Sequence, residues 1–250
     1  MKFLFALFCL LAVATPALAE PVRAVPSTLL MAPPREVAPK EGALTAHSWC
    51  GTCVSFFSQA INQLLNIILN VGVLGECSQL CGKLESHIEA EVCNVLCDVV
   101  GIEAFVKLVT DEDPDPIYYC EMLSFCGESD SAAANITALT VSPDSGAQNT
   151  EFTIDIVFAV TSPIGTGELV IDIVPPGGAE PFGTGNLLVD VAAGEYRSDG
   201  KFKATPSEQE PFSPGTYQLV VTICEGSCGS IHPHSKTLTQ HVTTFKITGQ

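Results

Sequence analysis

Trp49-Cys50-Gly51-Thr52-Cys53 begins the stretch of sequence that decides the fold of the first half of this chain. Between residues 50 and 126 eight cysteines come in four close pairs. The pairs are Cys50 with Cys53, Cys77 with Cys81, Cys93 with Cys97, and Cys120 with Cys126. The two middle pairs have i, i+4 spacing, which places both sulfurs of a pair on one face of a helix, one turn apart.

Helix geometry favours one nested arrangement of these eight cysteines. If the helices that carry the middle pairs run antiparallel, Cys81 faces Cys93 and Cys77 faces Cys97. The outer pairs can join the first and last helices in the same way, Cys53 with Cys120 and Cys50 with Cys126. Eight cysteines allow roughly a hundred pairings, so spacing alone does not determine the connectivity. We predict the nested arrangement because it needs no crossing connections.

The spacing also resembles a known family. Cys50-x2-Cys53, Cys81-x11-Cys93 and Cys120-x5-Cys126 are similar to the six-cysteine pattern of the saposin B-type family, to which this chain adds Cys77 and Cys97. The resemblance implies four or five short helices in two leaves, three disulfides, and binding of lipid or membranes. The order of signal peptide, helical module and β-rich half further resembles the layout of the countins, which implies a secreted factor that regulates cell number within an extracellular complex.

Composition bounds the function. The 250 residues include 28 acidic and 11 basic side chains, for a formal net charge of −17. Such a surface argues against nucleic-acid binding, which requires positive charge to neutralise phosphates. Residues 47–127 carry Lys83 and Lys107 against eleven acidic residues, a charge of −9. We therefore expect any membrane contact to be hydrophobic and to strengthen in acid, where carboxylates become protonated.

Five segments are predicted along the chain. Residues 1–19 form a signal peptide, with Lys2, an apolar core and the small residues Ala17 and Ala19 before the cleavage point. Residues 20–46 are a proline-rich extended leader or linker, or a pro-segment removed later. Residues 47–127 form the helical domain, 128–134 a linker, and 135–250 a β-sandwich. Removal of the signal peptide leaves ten cysteines, an even number that favours a secreted, oxidised protein, or one in a lysosomal or endosomal lumen.

The helical domain is predicted to contain helices over 48–70, 76–89, 91–109 with a kink at Gly101, and 117–125. The acidic turn 111–116 is expected to be solvated and to cap the last helix. No Asp, Glu, Lys or Arg occurs from 42 to 75, so the first helix is apolar nearly all round, which favours either burial or lipid contact. The predicted lipid contacts are Phe56, Ile61, Leu64, Leu65, Ile67, Ile68, Leu69 and Val71.

From residue 136 onward the hydrophobic period changes from 3.6 to 2, which is typical of strands. Seven strands are predicted, over 136–141, 152–160, 168–174, 186–191, 196–204, 216–224 and 237–247. Their number and length favour an immunoglobulin-like antiparallel sandwich. Cys224 and Cys228 are expected to form a local disulfide. Asn135-Ile136-Thr137 is an N-glycosylation sequon at the junction of the two halves, so Asn135 is a predicted glycosylation site.

No catalytic site is predicted, because no nucleophile motif, phosphate loop or dinucleotide fingerprint occurs. His232-Pro233-His234 lacks the further ligands that a metal site needs, and no cofactor is expected. The leading hypothesis is a secreted, non-enzymatic protein that binds lipid or a membrane surface. The alternatives are a countin-like signalling factor in a secreted protein complex and an amoebapore-like membrane-lytic protein. An oligomer is compatible with each of them.

Overall fold

The computed structural model describes residues 30–31, 35–36, 49–72, 75–110, 114–208 and 210–249, so the predicted signal peptide lies outside the described residues. The first domain is helical and contains, in order, α1 (Cys50–Val71), α2 (Cys77–Cys81), α3 (His87–Val100), α4 (Ile102–Val109) and α5 (Pro116–Met122). A β-rich domain follows. The coarse class, disulfide-bonded helices followed by sheets, agrees with the prediction.

Four disulfides cross-link the helical domain in the nested arrangement that helix geometry favours. Cys81 joins Cys93 and Cys77 joins Cys97 across α2 and α3, and the outer bonds Cys53–Cys120 and Cys50–Cys126 join α1 to α5 and the residues after it. All eight cysteines are buried within one apolar cluster. Phe57 lies at its centre, with its ring against those of Phe105 and Tyr119 at centroid distances of 5.9 and 5.3 Å.

The helix boundaries differ from the prediction in two places. The second helix ends at Cys81 rather than near residue 89, and α3 begins earlier, at His87, because the Ser86 hydroxyl caps it by accepting a hydrogen bond from the Glu89 amide at 3.3 Å. Gly101 divides the predicted third helix into α3 and α4. Its φ of +83° and ψ of 156° lie in a region that only glycine adopts without strain.

α1 is a core helix with one polar face. By length and composition it could cross a membrane, yet it packs one side into the domain core. The buried face is wide and includes Phe56 and Ala60 as well as Phe57, Leu64 and Ile68. The opposite side is polar and exposed and carries Ser58, Gln59, Asn62, Asn66 and Asn70.

The β domain contains all seven predicted strands, each extended by a few residues. They are β3 (Ala133–Ser142), β5 (Glu151–Ser162), β6 (Ile164–Val174), β7 (Phe182–Val191), β8 (Gly194–Lys203), β9 (Gly215–Glu225) and β10 (Lys236–Thr248). A short strand, β4 (Ser145–Ala147), pairs with β10 in parallel, and the other pairings between these strands are antiparallel.

Two sheets pack face to face around a single apolar core. One has the order β8-β5-β3, and the other has the order β4-β10-β9-β6-β7. Alternate residues of both sheets point inward, as β5 shows with buried Phe152, Ile154, Ile156 and Phe158. The ring of Phe152 stacks on Phe202 of the same sheet and makes a tilted contact with Phe245 of the other sheet, both at about 5 Å, so aromatic side chains join the two sheets.

The leader is not wholly without regular structure. Two short strands, β1 (Leu30–Met31) and β2 (Arg35–Glu36), pair antiparallel with β8 and extend the first sheet. The absence of strand periodicity in residues 20–46 therefore led to a wrong prediction for these four residues. Pro33 and Pro34 lie between the two pairings in the sequence. Proline has no amide proton to donate, which restricts it to interruptions and edges of a sheet.

The predicted linker 128–134 is packed against the β domain. Ala132 is buried in the core of that domain, and Ala133 already belongs to β3. The Ser129 amide donates a hydrogen bond to Glu225 at the end of β9. The β domain thus begins earlier than the sequence indicated, and the connection between the domains is short.

Candidate functional site

The predicted lipid contacts are divided between the core and the surface of the helical domain. Phe56, Ile61, Leu64 and Ile68 are buried, with at most 7% of their surface exposed, so the core covers them in this conformation. Leu65 and Ile67 are half-buried against the same core. Leu69 and Val71 are exposed, Leu69 by 77%. Of the eight predicted residues, two are therefore exposed, two are half-buried and four are covered by the core.

A second exposed apolar stripe lies on α3. Ile88 is 74% exposed, and Val95 and Val99 are also exposed, at intervals of seven and four residues on one helix face. Val95 and Val99 therefore lie on the outward face of the helix. Beside Ile88, a groove of about 540 Å3 opens between α1 and α3, with Phe56 and Val92 among its lining residues.

The two domains meet at a junction built from α1 and α5 on one side and from β6, β7, β9 and the loop that follows β9 on the other. The Ser227 hydroxyl donates a 2.7 Å hydrogen bond to Asp115 Oδ1. The ring of Tyr118 stacks on His232 with centroids 4.2 Å apart. Cys50 Sγ lies 3.6 Å from Thr166 Oγ1, so the first disulfide also touches the β domain. Three independent contacts thus hold the helical domain in place.

Asp115 has a double role at this junction. Its Oδ1 accepts hydrogen bonds from the amides of Ile117 and Tyr118 and so caps α5, whose first residue is Pro116. The same oxygen accepts from Ser227 of the other domain, while Oδ2 is buried with no hydrogen-bond partner among the described residues. Asp115 is therefore buried at the domain junction, and the prediction of a solvated turn is wrong for this residue.

Glu121 faces the junction from the next turn of α5. The residue is only 8% exposed, and both carboxyl oxygens are buried without a hydrogen-bond partner among the residues that the structure describes. Burial, and after it the neighbouring acidic groups Glu225, Glu128 and Asp115, raise the pKa of Glu121 to about 8, while His234 opposes the shift. At mildly acidic pH this carboxyl is therefore protonated.

Glu225 is the buried carboxyl on the β domain side. It is 0% exposed and accepts hydrogen bonds from the amides of Ser129 at 2.6 Å and Gly165 at 3.2 Å. Burial raises its pKa to about 7, although these amides favour the charged form. Glu168 on β6 accepts from the Cys228 amide at 3.0 Å, and burial and Asp115 raise its pKa. Four acidic side chains from both domains thus meet at the junction.

His234 stands at the rim of this acidic group. Its Nδ1 lies 2.8 Å from Asp130 Oδ1, and its Nε2 lies 3.5 Å from Glu128 Oε2. The hydrogen bond with Asp130 raises the pKa of His234. Within the part of the chain that the structure describes, no three His, Cys, Asp or Glu side chains are grouped so that they could hold a metal ion.

The predicted glycosylation site lies on the surface near the start of the β domain. Asn135 is exposed on β3, where its backbone pairs with Ala159 of β5. Cys224 and Cys228 form the predicted local disulfide at the end of β9, directly beside Glu225 and Ser227 of the junction. This short bond therefore shapes the loop that contacts α5.

These features define a disulfide-stabilised protein in which a small helical domain is docked on a two-sheet β domain. Family models describe the same two units, the Countin N-terminal domain over residues 48–124 and the Countin C-terminal domain over residues 134–250. The chain belongs to the countin family. From Dictyostelium discoideum, Countin-1 is 45% identical over 80% of this chain and 78% of its own length, and Countin-3 is 43% identical over 79% and 89%.

Solved structures resemble the chain only distantly. The C-terminal domain of Wzt matches 50% of this chain and 81% of its own length at 13% identity, with a TM-score of 0.34. A score of this size relates neither the folds nor the functions of the two proteins. The similarity to the countins, which spans both domains, is the finding that bears on function.

Proposed function

We propose that this chain is a secreted, countin-like regulatory protein that acts outside the cell within a protein complex and influences cell number or group size. The observation that carries the proposal is the 45% identity to Countin-1 over both domains. The five disulfides fit an oxidising, extracellular location. We further propose that the protein has no enzymatic activity and binds no nucleic acid.

We also propose that the helical domain is related in fold to the saposins and the β domain to immunoglobulin-like sandwiches. The nested disulfides of the helical domain support a saposin-like arrangement in which Cys77–Cys97 is an additional cross-link. The Tyr217 hydroxyl donates to the Ser213 carbonyl at 3.0 Å, four residues back in the chain. This resembles the tyrosine corner of immunoglobulin-like sandwiches and supports that relationship for the β domain.

The experiment adds purified mature protein to Dictyostelium discoideum cells as they develop and counts the cells in each group. We expect group size to change with dose. The same preparation after reduction and alkylation is the control, because it has the same composition without the disulfides. Native chromatography of the medium should also recover part of the protein in a larger complex. Unchanged group size at every dose of folded protein would refute the proposal.

Lipid binding is the second candidate function, and the exposed side chains of Leu69, Val71 and Ile88 favour it. At about 25 cal/mol per Å2 of buried apolar surface, three such side chains supply a few kcal/mol, which is enough for reversible binding. The net charge of the domain favours binding in acid. A lytic role, as in amoebapores, would require leakage in addition to binding.

Vesicles of phosphatidylcholine and phosphatidylserine loaded with dye test both possibilities at pH 5 and pH 7. The variant Leu69→Asn with Val71→Asn should bind less, whereas Val242→Asn, which changes an exposed valine on β10 of the other domain, should bind like the original chain. If both variants bind equally well, Leu69 and Val71 do not contribute to lipid binding. Binding without release of dye would exclude the lytic role.

A further inference from the structure

We propose that the domain junction is a proton-dependent latch, in which Asp115, Glu121, Glu168 and Glu225 hold the helical domain against the β domain firmly in acid and loosely at neutral to alkaline pH. The four side chains come from both domains: Asp115 and Glu121 lie on or next to α5, Glu168 on β6 and Glu225 at the end of β9.

The geometry of Glu121 carries the inference. Both of its carboxyl oxygens are withdrawn from solvent and lack a hydrogen-bond partner among the described residues. A carboxylate in that position has lost its hydration without compensation, whereas the protonated acid loses far less. The other groups that face it are Asp115 from its own domain, Glu128 from the connection, Glu225 from β9 and His234 from the loop after β9.

The remaining charges at the junction do not neutralise this group. His234 pairs with Asp130 and Glu128, and Lys236 Nζ donates to the Asp130 carbonyl, so the nearby positive charges are engaged at the rim. As pH rises, His234 loses its charge while the carboxyls gain theirs. Both changes increase the repulsion between negative charges across this interface, so both weaken docking as pH rises.

The sign of the pH dependence follows from proton binding. In the docked structure burial and the neighbouring acidic groups raise the pKa of Glu121 from 4.5 to about 8. Separation of the domains returns this carboxyl to water and lowers its pKa, so the docked state holds more protons than the separated state. Docking is strongest below about pH 4.5 and weakens steadily as pH rises toward 8. Allowing for partial solvation, we expect the equilibrium between loose and docked junctions to change by about tenfold or more across this range.

The contacts that the latch controls are specific to the docked state. The Ser227–Asp115 hydrogen bond and the Tyr118–His232 stack both cross the interface, and either is lost when α5 moves away. On the β domain side the connection is held separately, because the Ser129 amide binds Glu225 and the backbone of Gly127 and Glu128 packs against Gly165 so closely that no Cβ would fit. Because the Cys50–Cys126 disulfide ties Cys126 to α1, movement is expected where Cys126 meets Gly127, rather than within the connection.

Hydrogen exchange by mass spectrometry on the full mature chain, corrected for the intrinsic pH dependence of exchange, tests this latch. Peptides covering residues 115–122 and 225–236 should exchange about tenfold faster at pH 8 than at pH 5, while peptides from β5 keep one rate. Trp49, the single tryptophan of the chain, precedes Cys50, which contacts Thr166 across the junction. Its fluorescence emission should therefore also change between pH 5 and pH 8.

The decisive variant is Glu121→Gln, which keeps the shape of the side chain and removes its charge. Junction exchange in this variant should stay slow at pH 8, whereas Glu103→Gln, an exposed change on α4, should behave like the original chain. If circular dichroism shows that Glu121→Gln does not fold, Glu168→Gln is the second variant. We expect it to reduce the pH dependence of junction exchange by a smaller amount. Equal junction exchange of the original chain at both pH values, or identical pH dependence in all variants, would overturn the latch.

Discussion

The ring of Tyr118 on α5 and the imidazole of His232 in the β domain lie nearly parallel, with 7° between their planes and 4.2 Å between their centroids. The two residues are far apart in sequence and belong to different domains. Their stack crosses the junction, so it offers a direct way to weaken the docking of one domain on the other.

Replacement of Tyr118 by alanine should loosen the junction. Aromatic pairs contribute about 0.5–1.5 kcal/mol beyond their buried area, so we expect a loss of about 1 kcal/mol or somewhat more in urea unfolding of the full chain. Met122→Ala is the matched control, because Met122 is an exposed residue of the same helix. Identical unfolding of the two variants would show that the stack contributes nothing to stability.

Removal of the additional cross-link should weaken the helical domain alone. The variant Cys77→Ser with Cys97→Ser opens a bond that spans 20 residues, and we expect a loss of about 2–3 kcal/mol because the unfolded domain gains conformational freedom. Cys224→Ser with Cys228→Ser opens a bond that spans 4 residues in the other domain. Circular dichroism at 222 nm during urea unfolding should shift for the first pair and change little for the second.

Two glycines of the helical domain should respond to alanine with opposite signs. Gly101→Ala forces a side chain into a glycine-only backbone conformation at the break between α3 and α4, at a cost of about 1–3 kcal/mol. Gly51→Ala lies within α1, has open space around its Cα, and should stabilise by about 0.5–1 kcal/mol. Thermal unfolding of the two variants measures both effects, and a stabilised Gly101→Ala would show that the break is not constrained.

Glu225→Ala should destabilise the β domain, and the loss should depend on pH. The change leaves the amides of Ser129 and Gly165 without their acceptor, which costs about 1–3 kcal/mol. Because burial raises the pKa of Glu225 to about 7, the original chain loses stability as pH rises from about 4.5 toward 7. The difference between variant and original should therefore be largest in acid. Glu195→Ala, an exposed change on β8, is the control and should show no such trend.

Glycosylation at Asn135 is compatible with the fold. The side chain is exposed on β3, so a glycan can extend into solvent without disturbing the sheet. Protein secreted by a eukaryotic host should lose mass on treatment with an amide-cleaving glycosidase, and Asn135→Gln should abolish that change. The variant should unfold at the same temperature once both proteins are deglycosylated. If the original chain is secreted in stable form without a glycan, Asn135 is not a glycosylation site.

The parts of the fold that could be predicted from sequence are those with local periodicity. The i, i+4 spacing of Cys77 with Cys81 and of Cys93 with Cys97 places each pair on one helix face. The structure bonds the two faces to each other, through Cys77–Cys97 and Cys81–Cys93. Alternating apolar residues similarly locate all seven long strands. The short leader strands were missed because their pairing depends on β8, which lies more than 150 residues away.

The junction had a local signal that sequence reasoning did not use. Along β9 the inward positions Tyr217, Leu219, Val221 and Ile223 continue with Glu225, which alternation therefore places inside the protein. Glu121 likewise stands among the apolar residues of α5. What could not be predicted is that these two carboxyls approach one another, because docking of separate domains leaves no periodic trace in a single sequence.

The pairing of β2 with β8 places the chain on one sheet immediately before the helices, and β3 returns it to the same sheet immediately after them. In topological terms the helical domain is an insertion within the β domain, because the chain comes from one sheet before the helices and returns to the same sheet after them. If the latch releases, the helices therefore stay joined to one and the same sheet by the chain on both sides.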